Sequence, residues 1–186
     1  MKFIGIITSL ALTLITQVRA GFVFPFSGCL TSQGWEEFNG HCYKLMYDRL
    51  TAEPADVATM RDTCEDVGPI KFGDSGAFIG LAYLADIQSM EENDFVSEMV
   101  AGGSRAWIGA EKDVSSFYWI RDSESDKVEV SFTNWKFNEP NDKDGSEDCV
   151  EINRGPPGKW NDLLCSRKLP GVCKYNITAY TASRKD

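Results

Sequence analysis

The sequence predicts a small α+β domain held together by disulfide bonds. Two stretches with helical periodicity, residues 57–64 and 89–100, precede several short β-like runs. Neither a repeat nor a linker interrupts residues 29–175, so we expect one domain there, between a short lead over 21–28 and a tail over 176–186. The six cysteines all fall within that domain: Cys29, Cys42, Cys64, Cys149, Cys165 and Cys173.

Local signals define a hairpin and the first helix. Asn39-Gly40 suits a tight hairpin turn. Pro54 stands where a helix can begin, and Val57, Met60 and Cys64 then fall on one face of a short helix.

The second helix is marked at its start and along one face. Ser89 and Glu92 have the spacing of a capping box, and Gly102-Gly103 is expected to end the helix. Two apolar pairs are spaced to make contact along the helix: Phe95 with Met99 and Val96 with Val100.

Beyond the second helix the pattern changes to short β-like runs. These cover residues 106–110, 117–120, 149–152 and 171–175. The chain from Asp122 to Trp160 has few apolar residues, and a loop of that length inside a compact domain is usually functional.

Composition excludes several classes of function. The chain has 186 residues and a net charge of −9, so its surface repels nucleic-acid phosphates and anionic lipid headgroups. We therefore expect no nucleic-acid partner and no membrane insertion. His41 is the single histidine, which argues against a Ser-His-Asp triad and a multi-histidine zinc site.

The first twenty residues are typical of a secretory signal peptide. Lys2 supplies positive charge, Phe3–Thr16 is mainly apolar, and Val18-Arg19-Ala20 offers a cleavage site. A membrane anchor is the alternative, but this run is shorter than the roughly 20 apolar residues that a spanning helix needs. We expect residues 1–20 to be removed and the mature protein to be secreted and extracellular. An even number of cysteines in a secreted chain then indicates three disulfides, with the pairing left open.

Oxygen-bearing side chains are concentrated between Trp135 and Asp162. Carboxylates and amides suit calcium, which takes about six to eight oxygen ligands. On composition alone, the same residues would be interpreted as turn residues of a solvated acidic loop. The candidate ligands are Glu139, Asn141, Glu147, Asn161 and Asp162.

Four motifs follow one another in order between the cysteines. They are Trp107-Ile108-Gly109-Ala110, Glu139-Pro140-Asn141, Glu147-Asp148-Cys149 and Trp160-Asn161-Asp162. The first motif alone is a weak signal, whereas the ordered set is specific. From Cys29 to Lys174 the chain resembles the carbohydrate-recognition domain of the C-type lectin family, in its mannose-type form.

The resemblance implies the C-type lectin-like fold, with two short helices, small antiparallel sheets and a long calcium-binding loop. It also implies a cis peptide bond before Pro140. The cysteine pairs that it implies are Cys29–Cys42, Cys64–Cys173 and Cys149–Cys165.

The resemblance further implies Ca²⁺ as the cofactor, held by all five candidate ligands. Glu139, Asn141, Glu147 and Asn161 would also bind two neighbouring equatorial hydroxyls of a sugar, such as the 3-OH and 4-OH of mannose. Metal-bound carboxylates are not free to act as acid or base, so we expect no enzyme activity.

The sequence departs from the family at two places. Many relatives hold a second calcium through acids near residues 114–116, which here are Val, Ser and Ser. Glu111 or Asp113 could replace them, and Asp142 and Asp148 would supply the other half. Galactose binders place an aromatic residue where this chain has Asp142.

We hypothesise a secreted, calcium-dependent lectin for mannose-type glycans on microbial or other cell surfaces, as in innate immune recognition. The alternatives are a protein of the same fold that binds protein, lipid, mineral or ice, and a glycosidase that uses paired carboxylates. No collagen-like or heptad segment precedes Cys29, so a homo-oligomer would form through the domain itself or a partner. Asn176 begins the N-glycosylation sequon Asn176-Ile177-Thr178.

Overall fold

The structure is a computed structural model. It describes residues 29–67, 70–72, 77–79, 82–100, 104–121 and 127–177. The expected signal peptide and lead lie outside these residues, as do Gly102-Gly103 and the tail beyond Ile177. Within the described ranges, no helix combines the length and apolar character that crossing a membrane requires.

Two α-helices occur in the described part of the chain, as the periodicity predicts. Helix α1 (Val57–Val67) buries the predicted face around Met60. Helix α2 (Met90–Met99) begins after Ser89, whose hydroxyl accepts a hydrogen bond from the Glu92 backbone N–H at 3.2 Å. This bond confirms the predicted helix start, because it satisfies a backbone donor that has no partner within the helix.

The described residues form eleven strands. They are β1 (Glu36–Phe38), β2 (His41–Met46), β3 (Ile70–Phe72), β4 (Ala77–Ile79), β5 (Tyr83–Leu84), β6 (Ala106–Asp113), β7 (Ser116–Ile120), β8 (Lys127–Glu129), β9 (Cys149–Ile152), β10 (Trp160–Leu163) and β11 (Gly171–Asn176). Strands β6, β7, β9 and β11 confirm the four predicted β-like runs. Asn39 and Gly40 join β1 to β2 with φ values of 47° and 76°, which confirms the predicted hairpin turn.

Nine of these strands form one sheet, and β3 pairs with β4 separately. The main order is β1-β2-β11-β6-β7-β8; β5 pairs with β11, and β9 joins β6 to β10. The β11–β6 pair is parallel, through Gly171 and Trp107, whereas the other pairs are antiparallel. The sheet is therefore larger than the small antiparallel sheets expected. It is also mixed, because the β6–β11 pair is parallel. These two strands are neighbours in space but distant in sequence.

The tight contact between β5 and β6 explains one glycine of the first motif. A Cβ atom on Gly109 would lie 2.2 Å from the backbone oxygen of Leu84. A side chain at this position would push the two strands apart. The neighbouring Trp107 is fully buried, and its indole donates to the Ala55 carbonyl at 3.0 Å.

Three disulfides connect the elements, with the pairing that the family resemblance implies. Cys29–Cys42 ties the first described residue to β2. Cys64–Cys173 spans 109 residues and joins α1 to β11. Cys149–Cys165 joins β9 to the segment that follows β10, and so holds together the two strands that carry the last two motifs.

Candidate functional site

Buried tryptophans anchor the long polar loop to β10. The backbone N–H of Lys136 donates to the Trp160 carbonyl at 2.9 Å, and the Trp160 N–H donates to the Asn134 carbonyl at 3.0 Å. The Trp160 indole donates to the Asn93 side chain at 2.7 Å. Its ring is edge-on to three aromatic rings at 5.7 Å: Trp119, Phe132 and Trp135. These tryptophans therefore pack the loop, as the sequence predicts, and do not form an exposed platform for a sugar.

Four of the five predicted ligands line one pocket, which we call the site pocket. Its volume is about 360 Å³. The peptide bond between Glu139 and Pro140 is cis, as the resemblance implies. The four ligands that line the pocket are Glu139, Asn141, Glu147 and Asn161.

The fifth predicted ligand, Asp162, is fully buried behind the pocket wall. Its two carboxylate oxygens accept the backbone N–H groups of Asn141 at 3.1 Å and of Asp142 at 2.7 Å. The Glu147 carboxylate similarly accepts the backbone N–H of Lys143 at 3.1 Å. Asp162 on β10 therefore holds the end of the Glu-Pro-Asn segment in place, and Glu147 holds the residue two positions beyond it.

Glu151 orients Asn161, and the sequence analysis missed it. The Asn161 side-chain NH₂ donates to Glu151 at 3.0 Å, which leaves its Oδ1 as the atom available to a cation. Glu151 is fully buried, burial raises its pKa, and Arg105 binds both its oxygens at 3.0 and 3.2 Å. An acidic residue inside the apolar run 149–152 could have drawn attention to Glu151 in the sequence. Its contact with Asn161 could not be predicted, because it depends on the alignment of β9 with β10.

Like charges face each other at the pocket. Burial and the nearby Asp162 carboxylate raise the pKa of Glu139. The Asn141 side-chain NH₂ donates to the Glu139 carboxylate and compensates part of this charge. Within the described ranges, no three His, Cys, Asp or Glu side chains form a metal site by themselves, so a cation here would depend on the Asn141 and Asn161 amide oxygens.

Acids that could have built a second calcium site are paired with cations instead. Lys112 lies 2.5 Å from Asp142, and Lys127 lies 3.2 Å from Asp113. Glu111 forms an ion pair with Arg61. The positive charges of Lys112, Lys127 and Arg61 neutralise the carboxylates that a second metal ion would need as ligands.

Four positively charged side chains also line the site pocket, and the sequence analysis did not single them out. Lys136 and Lys143 lie close to the Glu-Pro-Asn motif in the sequence, one on each side, and this proximity could have identified them. The other two are brought to the pocket by the β9–β10 connection and the segment after β10. The four are Lys136, Lys143, Arg154 and Arg167.

Comparison with known proteins identifies the family. The family model for the lectin C-type domain matches residues 80–175, a range that contains all four motifs and the site pocket. The chain belongs to the C-type lectin domain family. Domains of this family are generally non-enzymatic binding proteins, and the fold is the C-type lectin-like fold that the sequence predicts.

One relative and two solved structures serve for comparison with the chain. The chain is 34% identical to human C-type mannose receptor 2 over 144 residues, covering 75% of this chain but 8% of the receptor. The cow CD23 carbohydrate-recognition domain, solved in the presence of a GlcNAc2Man3 oligosaccharide, has a TM-score of 0.61 and 28% identity, covering 82% of this chain and 98% of that one. Herring type II antifreeze protein has a TM-score of 0.61 and 25% identity, covering 81% of this chain and 100% of that one.

Proposed function

We propose that this protein is a secreted, calcium-dependent lectin for mannose-type sugars. The observation that carries the proposal is the site pocket, where Glu139, Asn141, Glu147 and Asn161 meet with Asp162 directly behind them. Family membership supports carbohydrate binding in general. The order of carboxylate and amide in Glu139-Pro140-Asn141 supports mannose in particular.

The donor set of the pocket fits calcium. It consists of three carboxylates and two amides, with no nitrogen or sulfur ligand, and hard oxygen ligands are those that calcium prefers. The repulsion between Glu139 and Asp162 supports the same proposal, because a divalent cation between them would remove it. When bound, calcium supplies positive charge and open coordination positions to which two sugar hydroxyls can attach.

The residues of the chain would select the hydroxyls. Glu139 and Glu147 would accept the hydroxyl protons, and Asn141 and Asn161 would donate amide N–H groups to the hydroxyl oxygens. Hydrogen bonds to charged groups are stronger than neutral ones, so a sugar without two suitably placed hydroxyls loses much of its binding energy. Asn161 would use the N–H that it donates to the Asp162 carbonyl in this structure.

The proposal extends to the location and partners of the protein. Residues 1–20 would direct secretion, and glycans on microbial or other cell surfaces would be the partners. Asn176 ends β11 and is exposed, which supports its proposed glycosylation, although Thr178 of the sequon lies outside the described residues.

A second candidate function is binding of a non-sugar ligand. The similarity to herring type II antifreeze protein supports it, because that protein has the same fold and is not named a lectin. The complete set of oxygen ligands in this chain favours the lectin. The two functions differ in whether the protein binds mannose and whether that binding requires calcium.

The protein is expected to be retained on a mannose resin in calcium and to be released by a chelator. Removing the metal would remove the main attachment of the sugar and leave Glu139 and Asp162 in mutual repulsion. The measurement is chromatography on mannose and galactose resins, first in calcium and then in excess chelator. Retention that persists in the chelator would contradict the calcium mechanism, and absence of retention on either resin would favour the non-sugar ligand.

A matched pair of variants separates the ligands from the rest of the pocket. Glu147→Gln is expected to lose retention, because it removes a carboxylate from the ligand set. Asp144→Asn removes an exposed carboxylate of the same pocket that is not among the ligands, and it is expected to keep retention. Equal loss in both variants would show that overall pocket charge, and not a specific ligand, holds the protein on the resin.

Calorimetric titration is expected to show one tightly bound calcium per domain. The reason is that Glu111, Asp113 and Asp142 are paired with Arg61, Lys127 and Lys112. Lys112→Met would free Asp142 and serves as the comparison, since it tests whether this lysine blocks a second ion. Two equally tight ions in the unmodified protein would contradict the prediction.

A further inference from the structure

The positively charged residues of the site pocket are not among those proposed to bind the calcium ion or the sugar hydroxyls. Lys136 and Lys143 lie in the loop before β9, Arg154 follows β9, and Arg167 follows β10. Three separate segments therefore deliver cations to one pocket. The chain as a whole carries a net charge of −9, so this concentration of positive charge runs against its composition.

These four cations have no carboxylate partner within 4 Å among the described residues. Arg154, Arg167 and Lys143 are exposed, and Lys136 is half-buried. The contrast with other lysines and arginines is clear, because eight of those form ion pairs. The paired residues are Arg49, Arg61, Arg105, Lys112, Arg121, Lys127, Lys168 and Lys174.

With a calcium ion bound, the site would carry an excess of positive charge. The pocket is lined by the four cations and by three carboxylates, Glu139, Asp144 and Glu147, and the buried Asp162 behind them brings the carboxylates to four. A bound calcium would add two positive charges to this balanced set. Cations that line a concave site attract anions from solution and raise their local concentration.

Arginine is suited to one kind of ligand group in particular. Its planar guanidinium donates two parallel hydrogen bonds to the oxygens of a carboxylate or a phosphate, and lysine adds a compact positive charge. A neutral sugar hydroxyl can accept one hydrogen bond from such a side chain, but it does not neutralise the charge. The convergence of these side chains beside the proposed calcium ligands therefore indicates a ligand that has both hydroxyls and an anionic group.

We propose that the preferred ligand is a glycan that carries an anionic substituent, with its hydroxyls at the calcium ligands and its anionic group between Arg154 and Arg167. Lys136, whose side chain lies beside Gly155 and so next to Arg154, adds positive charge to the same pocket, as does Lys143. This inference rests on the proposed function, since it adds an anionic group to the sugar that is proposed to bind at the same site. The substituent is a carboxylate, a sulfate ester or a phosphate ester, which share the oxygens that arginine binds.

The experiment compares four versions of one mannose oligosaccharide by calorimetry in calcium. One version is neutral, and the others carry a single uronate, sulfate ester or phosphate ester. At low salt, at least one anionic version is expected to bind the unmodified full chain about tenfold more tightly than the neutral one, as one or two charged hydrogen bonds would allow. The advantage should shrink as the salt concentration rises, because the cations are exposed to solvent.

Two variants test which residues produce the preference. Arg154→Gln/Arg167→Gln is expected to reduce the ratio of anionic to neutral affinity to about one, because it removes both guanidinium groups. Arg49→Gln is the control, because Arg49 is an exposed arginine outside the pocket that pairs with Asp66. It changes the net charge but is expected to keep the ratio.

The outcomes distinguish this inference from the proposed function. A ratio near one for all three anionic versions in the unmodified protein would overturn the inference and leave the calcium-dependent lectin standing. A preference that survives in the double variant, or that disappears equally in Arg49→Gln, would also overturn it. Failure of every version to bind in a calcium-dependent way would overturn the proposed function together with the inference.

Discussion

Replacing Lys174 with methionine is expected to lower the free energy of unfolding by about 3–5 kcal/mol. Lys174 lies on β11 with 2% of its surface exposed, and its Nζ lies 2.7 Å from Asp86 and 2.6 Å from Glu92. Methionine fills a similar space but leaves two buried carboxylates with one cation, Arg121, at 2.6 Å from Asp86. Glu92 would keep the hydrogen bond from the Tyr43 hydroxyl but lose its cation, and a buried carboxylate without a cation is costly because its lost hydration is only partly replaced.

The titration of the same cluster supports this expectation. Burial acts to raise the pKa of Asp86, but Lys174 and Arg121 outweigh it, so the pKa lies below its ordinary value. Without Lys174 this compensation is weaker. The destabilisation of the variant should therefore be smaller in mild acid, where a carboxylate can take up a proton and no longer needs a cation.

The measurement is urea unfolding with the disulfides intact, and Lys168→Met is its matched control. Lys168 also lies 2.6 Å from a carboxylate, that of Asp56, but 60% of its side chain is exposed. Exposed ion pairs contribute about 1 kcal/mol or less, so this variant is expected to be close to the unmodified protein. Equal destabilisation by the two substitutions would show that burial of Lys174 is not what matters.

The double change Glu139→Gln/Asn141→Asp is expected to weaken mannose binding and to shift preference toward galactose. It keeps one carboxylate and one amide at the metal but exchanges their positions, so each sugar hydroxyl meets its donor and acceptor from the opposite side. Mannose presents two equatorial hydroxyls, whereas galactose presents an equatorial and an axial one. Each mismatched hydrogen bond to a charged group would cost about 1–3 kcal/mol, enough to reverse a modest preference.

The local structure favours retention of the fold in this variant. The Glu139 carboxylate and the Asn141 side-chain NH₂ are hydrogen-bonded to each other, and the exchanged pair can form the equivalent bond in the opposite direction. Asp162 holds this segment through backbone N–H groups, which the substitutions leave in place. The gain for galactose should stay incomplete, because Asp142 offers no aromatic ring for stacking.

A glycan array on three proteins decides this prediction. The control exchanges two other residues of the same pocket, Asp144→Ser/Ser146→Asp, and keeps the net charge in the same way. It is expected to retain the mannose preference. If the Glu139→Gln/Asn141→Asp protein binds calcium and still prefers mannose as strongly as before, these two residues do not set the specificity.

Secondary structure was largely predictable because its signals are local. The cap at Ser89, the hairpin turn at Asn39-Gly40 and the four β-like runs depend on residues that are close in sequence. The nine-stranded sheet was not predictable in the same way. It depends on β11 lying between β2 and β6, both of which are distant from β11 in the sequence.

The candidate ligands could be named from the sequence because four motifs follow one another in a specific order. Their surroundings could not be named. The bond between Asn161 and Glu151 requires the alignment of β9 with β10, and the pair formed by Lys112 and Asp142 connects β6 to the long loop. Nothing in the spacing of these residues indicates that they touch.

The sequence by itself therefore determined the class of the domain, its two helices, about half of its strands, and the oxygen-bearing residues proposed to hold calcium. The tertiary structure decided which charges form close ion pairs and which do not. Lys174 is buried between two carboxylates, whereas Arg154 and Arg167 reach the site pocket with no carboxylate within 4 Å of their side-chain nitrogens among the described residues. The physical reason is that electrostatic and hydrogen-bond energies depend on distance and burial, and both arise only when distant segments of the chain pack together.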